Sequence, residues 1–226
     1  MAEDSVEQEA KSVTLKRREE EDIKYYQEYL EKLAEKRFDD LKHGKDGSYE
    51  IIENKDKARA SIFMATLLAN TTKTLKLYCR GLSPGILCGE TEEDSKGFRG
   101  AYWEEFKKFF ETTIDTKVFA IQILLQSREY LGNLPFKKIK EASERINNSK
   151  IQVRAIRSDD KEKIDNELKK RKRGHDYNFA IFDGRAFRLE YDPDEYMAIG
   201  SFSSPSWCAE LNMLFDDAFK NADRII

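Results

Sequence analysis

The chemistry that this sequence could support centres on one histidine. Its 226 residues include only two histidines, His43 and His175. Imidazole titrates close to neutral pH, so it can act as a nucleophile or carry protons without a large pKa shift. His43 lies within Lys42-His43-Gly44-Lys45, a pattern typical of a helix end. His175 is therefore the candidate for nucleophilic or proton-transfer catalysis.

Other side chains and motifs exclude several enzyme classes. The cysteines, Cys79, Cys88 and Cys208, are odd in number and lack CxxC or Cys/His ligand spacing, which predicts reduced thiols and not disulfides or a metal site. The sequence contains no GxxxxGK[ST], GxSxG or HExxH motif, and no GxGxxG that opens a helix. ATP-dependent, α/β-hydrolase and zincin chemistries therefore lack their motifs, and we expect neither a metal nor another cofactor.

The polar residues next to His175 lead into an apolar, strand-like run. Asp176 and Asn178 precede Phe179–Phe182, and a turn at Asp183 follows. Successive residues of a strand point to opposite faces of a sheet. Asp176 and Asn178 are therefore expected on one face, and His175 on the other.

This stretch resembles the signature region of the phospholipase D superfamily, in which one strand carries H-x-K-x-x-x-x-D. When the two patterns are aligned on Asp183, Asp176 takes the position of the histidine and Asn178 that of the lysine. The resemblance covers about residues 55–226, and it implies that the order of helices and strands is also that of the family.

A later part of the family pattern is a strand that ends in Gly-Ser and is followed shortly by asparagine. Gly200-Ser201 matches that strand end, Ser203 lies where asparagine is expected, and Glu210 is present in the helix that follows. By this resemblance, the candidate catalytic residues are His175, Asp183 and Glu210. The candidate pocket or phosphate-binding residues of the two motifs are Asp176, Asn178, Gly200, Ser201 and Ser203.

The resemblance also implies a chemistry that the aligned residues here would not perform. In that family a histidine attacks the phosphorus of a phosphodiester, a second histidine protonates the leaving group, and the lysine stabilises the phosphoryl oxygens. The carboxylate of Asp176 would repel a phosphate anion, and the amide of Asn178 brings no charge. We therefore expect a non-catalytic module with a binding, regulatory or assembly role.

An active enzyme is the alternative interpretation. A one-residue bulge would turn His175 into the cleft, with Tyr177 in place of the lysine. The family builds one active site from two motifs, and one motif-like region is visible here, so a working pocket would need two chains and a homodimer is expected. The alternative is then a metal-independent phosphodiesterase or nuclease that uses His175 of each chain.

Five consecutive cations, Lys169–Arg173, precede the motif strand. Lys170, Arg171 and Arg173 within this run are candidates for binding phosphate or nucleic acid, but a basic run at a helix end also complements the helix dipole. The net charge of −3 argues against nucleic-acid binding through the whole surface. A phosphate-containing ligand or a nucleic acid is therefore expected to bind through a local patch only.

The elements that must position these residues begin with a charged N-terminal helical segment, residues 1–48. Residues 13–42 lack Gly and Pro and are rich in helix-forming residues. Their narrow apolar stripe has coiled-coil spacing and consists of Ile23, Tyr26, Leu30 and Leu33. This helix is expected either to dimerise or bind a partner, or to pack on its own domain.

Residues 49–226 are expected to form a phospholipase D-like α/β domain. Helical spacing occurs at 58–68, 102–112, 135–147, 160–173 and 206–222, strand patterns occur at 74–79, 117–126, 151–157, 177–182, 185–190 and 197–202, and a glycine-bearing loop spans 81–100. This order predicts a mixed-sheet sandwich with flanking helices. Because no run of about 18 apolar residues occurs and the N-terminus is charged, we expect a cytoplasmic protein without a membrane span.

Overall fold

The computed structural model describes residues 2–45, 49–81, 105, 108, 120–129, 131–132, 134–146 and 150–226. The helices are α1 (Ala2–Lys42), α2 (Lys57–Ala69), α3 (Leu134–Ile146), α4 (Ser158–Arg171) and α5 (Pro205–Asn221). The strands are β1 (Ile52–Asn54), β2 (Thr74–Cys79), β3 (Ala120–Leu125), β4 (Ile151–Ala155), β5 (Asn178–Phe182), β6 (Ala186–Asp192), β7 (Met197–Ser201) and β8 (Asp223–Arg224).

The strands form one mixed sheet in the order β1-β7-β6-β5-β2-β3-β4-β8. β2, β3 and β4 are parallel neighbours, and the remaining neighbours pair antiparallel. Central parallel strands are covered on both faces and are therefore apolar throughout. In β3, Ile121, Ile123 and Leu124 are fully buried, and the polar Gln122 is the exception to this pattern.

Helices cover both faces of the sheet and give two apolar cores. On one face, α1, α2 and α3 pack against side chains that include Leu75, Leu77 and Ala180. On the other face, α4 and α5 pack against side chains that include Tyr78 and Phe179. This is the α/β mixed-sheet sandwich with flanking helices and a long N-terminal helix that the sequence predicts.

The second half of α1 packs on its own domain. Leu30 is fully buried, and Ile23 and Ala34 are nearly so, within the core that α2 also lines. Tyr26 and Leu33 lie against the same core. The narrow stripe predicted from the sequence therefore meets the sheet domain of the same chain, which favours the second of the two interpretations of this helix.

Most predicted elements are present, with bounds that shift by a few residues. The strand predicted at 74–79 has those bounds, whereas α1 begins well before residue 13. The short strands β1 and β8 were not predicted. The loop predicted at 81–100 and the helix predicted at 102–112 lie almost wholly outside the described residues. Within the described ranges, no helix is both long and apolar enough to cross a lipid bilayer.

Candidate functional site

A row of residues, most of them polar, crosses β5, β6, β7 and β1 on the face of the sheet that α2 covers. The strand register pairs Asn178 with Glu190, Glu190 with Ala198, and Ala198 with Asn54. Residues that pair across strands point to the same face. Asn178 and Glu190 are therefore neighbours, Ala198 lies between Glu190 and Asn54 in the same row, and Arg188 lies in the next row on the same face.

Asn178 makes the most side-chain hydrogen bonds of the residues in this row. Its Oδ1 accepts a hydrogen bond from the backbone amide of Arg80 at 2.8 Å and one from Gln126 Nε2 at 3.2 Å. Its Nδ2 donates to Glu190 Oε2 at 2.8 Å. The side chain is buried, so these partners hold it in one orientation.

Arg188 and Glu190 form a buried ion pair beside Asn178. Arg188 Nη2 donates to Glu190 Oε1 at 3.1 Å, and both side chains are less than 10% exposed. Arg188 Nε donates to Asn54 Oδ1 at 3.3 Å, and neither bond uses Nη1. Burying an ion pair costs desolvation energy that its Coulomb attraction offsets only in part. Such a pair therefore suggests a function other than stability.

These side chains line a pocket between the sheet and α2. Its volume is about 70 Å³, which is room for about five water molecules. The buried wall combines the polar Asn178, Arg188 and Glu190 with apolar side chains. The apolar and sulfur-bearing part of the wall includes Met64, Leu77, Cys79 and Ala180.

Three partly exposed residues also line the pocket: Lys57, Arg80 and Tyr196. Tyr196 has a φ of 53°, a left-handed conformation that is rare for an aromatic residue and costs roughly 1–3 kcal/mol. Asn54 Nδ2 donates to the carbonyl of Tyr196 at 2.9 Å and so supports this conformation. Backbone strain of this kind is concentrated at binding and catalytic sites.

Burial affects the thiol of the pocket. It raises the pKa of Cys79 to about 12, and the negative charge of Glu190 acts in the same direction. The thiol is therefore protonated at neutral pH, and a protonated thiol is a poor nucleophile.

Asp176 lies just before β5 and outside the pocket wall. The predicted orientation of Asp176 assumed the alternation of an extended strand. Its φ of 47° is not extended, so that alternation does not apply. Its carboxylate accepts from Arg80 Nη2 at 2.6 Å and lies 3.5 Å from Lys161 Nζ. Partial burial opposes ionisation, but Arg80 and Lys161 outweigh it and lower the pKa of Asp176.

His175 also lies outside the pocket and is more than half exposed. Its Nε2 is 3.4 Å from Asp194 Oδ2 and 4.0 Å from Asp192 Oδ1, at the turn between β6 and β7. Ligand-type atoms of these three residues lie within 4.8 Å of one another. The backbone amide of His175 donates to the Tyr191 carbonyl, which ties the residue to the end of β6.

Asp183 follows β5 and is bound to the segment that precedes β2. Its carboxylate oxygens accept from the backbone amides of Thr72, Lys73 and Thr74 and from Thr72 Oγ1, at 2.7 to 2.9 Å. Asp183 is separated from Asn178 by the length of β5 and is not part of the pocket wall.

Gly200 is buried under α2, and Ser201 and Ser203 are buried beside the chain that enters β1. A Cβ on Gly200 would lie 2.5 Å from Phe63 Cε1, so glycine is needed for the close approach of α2 to the sheet. The hydroxyl of Ser201 is 3.1 Å from the carbonyl of Ser203, which also accepts from the amide of Tyr49 at 2.8 Å. None of the three lines the pocket.

Glu210 and the basic run meet each other. Arg171 Nη2 lies 2.5 Å from Glu210 Oε2, and Lys170 pairs with Glu167 at 2.6 Å. Arg173 is exposed and lies beyond the end of α4. The candidate phosphate-binding cations are therefore partly neutralised by acids of the same chain.

Of the predicted site residues, only Asn178 lines the pocket. The sequence prediction missed Arg188 and Glu190, although their alternation within β6 was a usable signal. Two charged residues at positions i and i+2 of an otherwise apolar strand point to the same covered face. The contributions of Lys57 and Arg80 depend on the contact between α2 and the end of β2, which no local pattern indicates.

Sequence comparisons found no relative: no family model matches the chain, and no curated protein matches it. Comparison with solved structures found likeness of fold. TrmBL2, described as an archaeal chromatin protein with a novel mode of DNA binding, is 12% identical with a TM-score of 0.49, over 94% of this chain and 67% of its own.

Two further structures cover 78% of this chain. Nuc from Salmonella typhimurium, a phospholipase D family member, is 10% identical with a TM-score of 0.46 over 99% of its own length. NucT from Helicobacter pylori is 9% identical with a TM-score of 0.43 over 100% of its own length. A phospholipase D family member is thus among the structures found, and likeness at this level concerns the fold alone.

Proposed function

We propose that this chain is a non-catalytic, phospholipase D-like module that binds a small ligand in the pocket between α2 and the sheet, with a binding or regulatory role. The observation that carries the proposal is the environment of Asn178. This residue takes the position of the family's lysine, and its amide is engaged by Arg80, Gln126 and Glu190. A neutral side chain held in this way offers no positive charge for a phosphoryl oxygen.

The remaining nucleophile candidates also favour binding over catalysis. Cys79 lines the pocket as a protonated thiol, whereas His175 lies outside the wall beside Asp192 and Asp194. Asp176, at the position of the family's histidine, is a carboxylate paired with Arg80 and Lys161. Among the described residues, the wall therefore places beside its cations a protonated thiol, and not an imidazole or an ionised nucleophile.

The ion pairs of the basic run support a small ligand over a nucleic acid. Lys170 pairs with Glu167, Arg171 with Glu210, and Lys172 lies 3.5 Å from Glu53. Nucleic-acid binding requires cations that can exchange their counterions for phosphates. Cations that already have acidic partners in the chain contribute less to that exchange.

A phosphodiesterase assay tests the absence of catalysis. Full-length protein is incubated with bis(p-nitrophenyl) phosphate and with single-stranded DNA, in the presence of EDTA. We expect no hydrolysis above that of a His175→Ala variant. Activity that survives the chelator and is lost in His175→Ala would establish the alternative enzyme and overturn the proposal.

A retention experiment tests the binding role. Wild-type protein is dialysed against a mixture of water-soluble metabolites, and the retained compounds are identified by mass spectrometry. Ala60 lines the pocket, so Ala60→Leu should abolish retention by filling it. Ala69 lies at the other end of α2, and Ala69→Leu is the matched control. Equal retention by all three proteins would contradict binding in this pocket.

A further inference from the structure

We infer that the ligand of this pocket is a small monocarboxylate, whose carboxylate binds beside Lys57 with Arg188 Nη1 as a second donor and whose short apolar body lies against the apolar part of the wall. This inference rests on the proposed binding function and adds the chemical class of the ligand. Its basis is the balance of charge around the pocket, together with the size and polarity of the wall.

Lys57 is a cation in an electrostatically unfavourable place. It is the first residue of α2, where the helix dipole is positive, and the first turn contains no acidic residue. Asp56, the N-cap, is used by Arg59: its Oδ1 accepts from the Arg59 amide and its Oδ2 pairs with the guanidinium. Among the described residues, no acid pairs with Lys57. A bound anion would relieve this repulsion.

The other charges at the pocket are already paired. Glu190 accepts from Arg188 through one oxygen and from Asn178 through the other. Arg80 pairs with Asp176 at 2.6 Å. Counting only the described residues, the charge of Lys57 is left without an acid, and the dipole of α2 adds a further partial positive charge. This balance matches a monoanion better than a doubly charged phosphate ester.

Arg188 supplies a donor inside the cavity. Its guanidinium lines the wall and is held by Asn54 and Glu190 through Nε and Nη2. Those bonds leave Nη1 for a hydrogen bond to a ligand. Because the held guanidinium has little rotational freedom to lose, such a bond costs less side-chain entropy than one from an exposed arginine.

The size and lining of the pocket limit the rest of the ligand. A volume of about 70 Å³ admits a short chain of a few carbon atoms and no large group. The side chains of Met64, Leu77 and Ala180 give that chain apolar contacts. A carboxylate with a body of three or four carbons fits both the charge and the space.

Butyrate is a suitable probe, with n-butanol as its neutral match and inorganic phosphate as a different anion. Binding to the full-length protein is followed by saturation-transfer NMR titration. We expect butyrate to bind with a Kd of roughly 1 mM or tighter, given its few non-hydrogen atoms. Lys57→Met should weaken butyrate about tenfold, whereas Lys55→Met, two residues earlier and exposed, should not.

Several outcomes would overturn the inference. These are equal binding of butanol and butyrate, binding of phosphate in place of butyrate, an unchanged affinity in Lys57→Met, or no binding of butyrate. The Ala60→Leu variant separates this failure from that of the proposed function. If butanol binds and Ala60→Leu abolishes its binding, the pocket is a ligand site and only the monocarboxylate class is wrong.

Discussion

At the scale of single residues, the contacts of Asp183 give this side chain a structural role. Both carboxylate oxygens accept two hydrogen bonds each from the segment that leads into β2. Its φ of 52° is a left-handed conformation that aspartate and asparagine tolerate better than most residues. The residue therefore joins the end of β5 to the start of β2.

We expect Asp183→Asn to lower the free energy of unfolding by about 2 kcal/mol. Asparagine keeps the backbone conformation, but its amide nitrogen would face groups that are themselves donors. Urea unfolding of the variant measures the loss. Asp194→Asn, at an exposed carboxylate, is the control and should change stability by less than about 0.5 kcal/mol. Equal stability of the two variants would show that the four bonds contribute little.

Asp176 provides a pH-dependent contribution to stability. Partial burial opposes ionisation, but Arg80 and Lys161 lower the pKa of this carboxyl below its ordinary value. The unfolded chain therefore takes up a proton at a higher pH than the folded chain. The resulting stabilisation is fully present well above the unfolded pKa of about 3.9 and is lost as the pH falls through the folded pKa.

Asp176→Asn should therefore destabilise the protein at pH 7 by less than about 1 kcal/mol, since the pair is partly exposed. The difference from wild type should shrink as the pH falls below about 4. Unfolding curves at a series of pH values measure it. Asparagine accommodates the φ of 47°, so backbone strain does not enter the comparison. If the difference in stability between wild type and variant grew as the pH fell, the prediction would be wrong.

The sequence predicts the orientation of Asn178 better than that of Asp176. Asn178 lies inside β5, so the two-residue alternation applies and its side chain reaches the pocket. Asp176 precedes the strand with a positive φ, and the alternation fails there. Arg188 and Glu190 follow the same alternation in β6, but a pattern shows only that two residues share a face. That they pair with Asn54 and Asn178 depends on strand order.

At the scale of elements, α1 is an integral part of the core. Leu30 is fully buried between α1 and the sheet domain, whereas Tyr25, on the opposite side of the helix, is 74% exposed. Arg37 is also buried, and burial lowers its pKa. A helix rich in charged residues is thus held by apolar contacts on one side.

We expect Leu30→Ala to lower the free energy of unfolding by about 3 kcal/mol, because it removes a fully buried side chain and leaves a cavity. Tyr25→Ala, at an exposed position of the same helix, should change it by less than about 0.5 kcal/mol. Chemical denaturation of both variants provides the comparison. If Tyr25→Ala were the more damaging change, α1 would be stabilised through its outer side, as a dimer would require.

The sequence predicts whether a segment is a helix or a strand when the segment is long enough to show a period. The α2 and α5 helices and strands β2 to β7 have clear periodicity, and their positions are predicted within a few residues. β1 has three residues and β8 has two, too few to show a period, and they exist because β7 and β4 offer free edges. β1 nonetheless supports the pocket, since its Asn54 bonds to Arg188 and to the Tyr196 carbonyl.

At the scale of the whole molecule, the pocket joins parts of the chain that are far apart in sequence. Its described wall draws on α2, β2, β5, β6 and the turn before β7, from Lys57 to Tyr196. All of these residues belong to one chain. The homodimer expected from the family resemblance is still a prediction, and the pocket is built without a second copy of any described residue.

Ligand binding should therefore be independent of the oligomeric state. We expect one butyrate per chain at protein concentrations where light scattering gives the monomer mass of 26.4 kDa. At any concentration where the mass is doubled, the Kd and the number of ligands per chain should be the same. Equilibrium dialysis with radiolabelled butyrate at two protein concentrations measures both quantities. Binding of one ligand per two chains, or an affinity that rises with dimer formation, would mean that a partner completes the site. We expect this result because one chain supplies the contacts. Arg188, Glu190 and Asn178 are held by bonds within one sheet, and Lys57 is positioned by the helix that packs on that sheet.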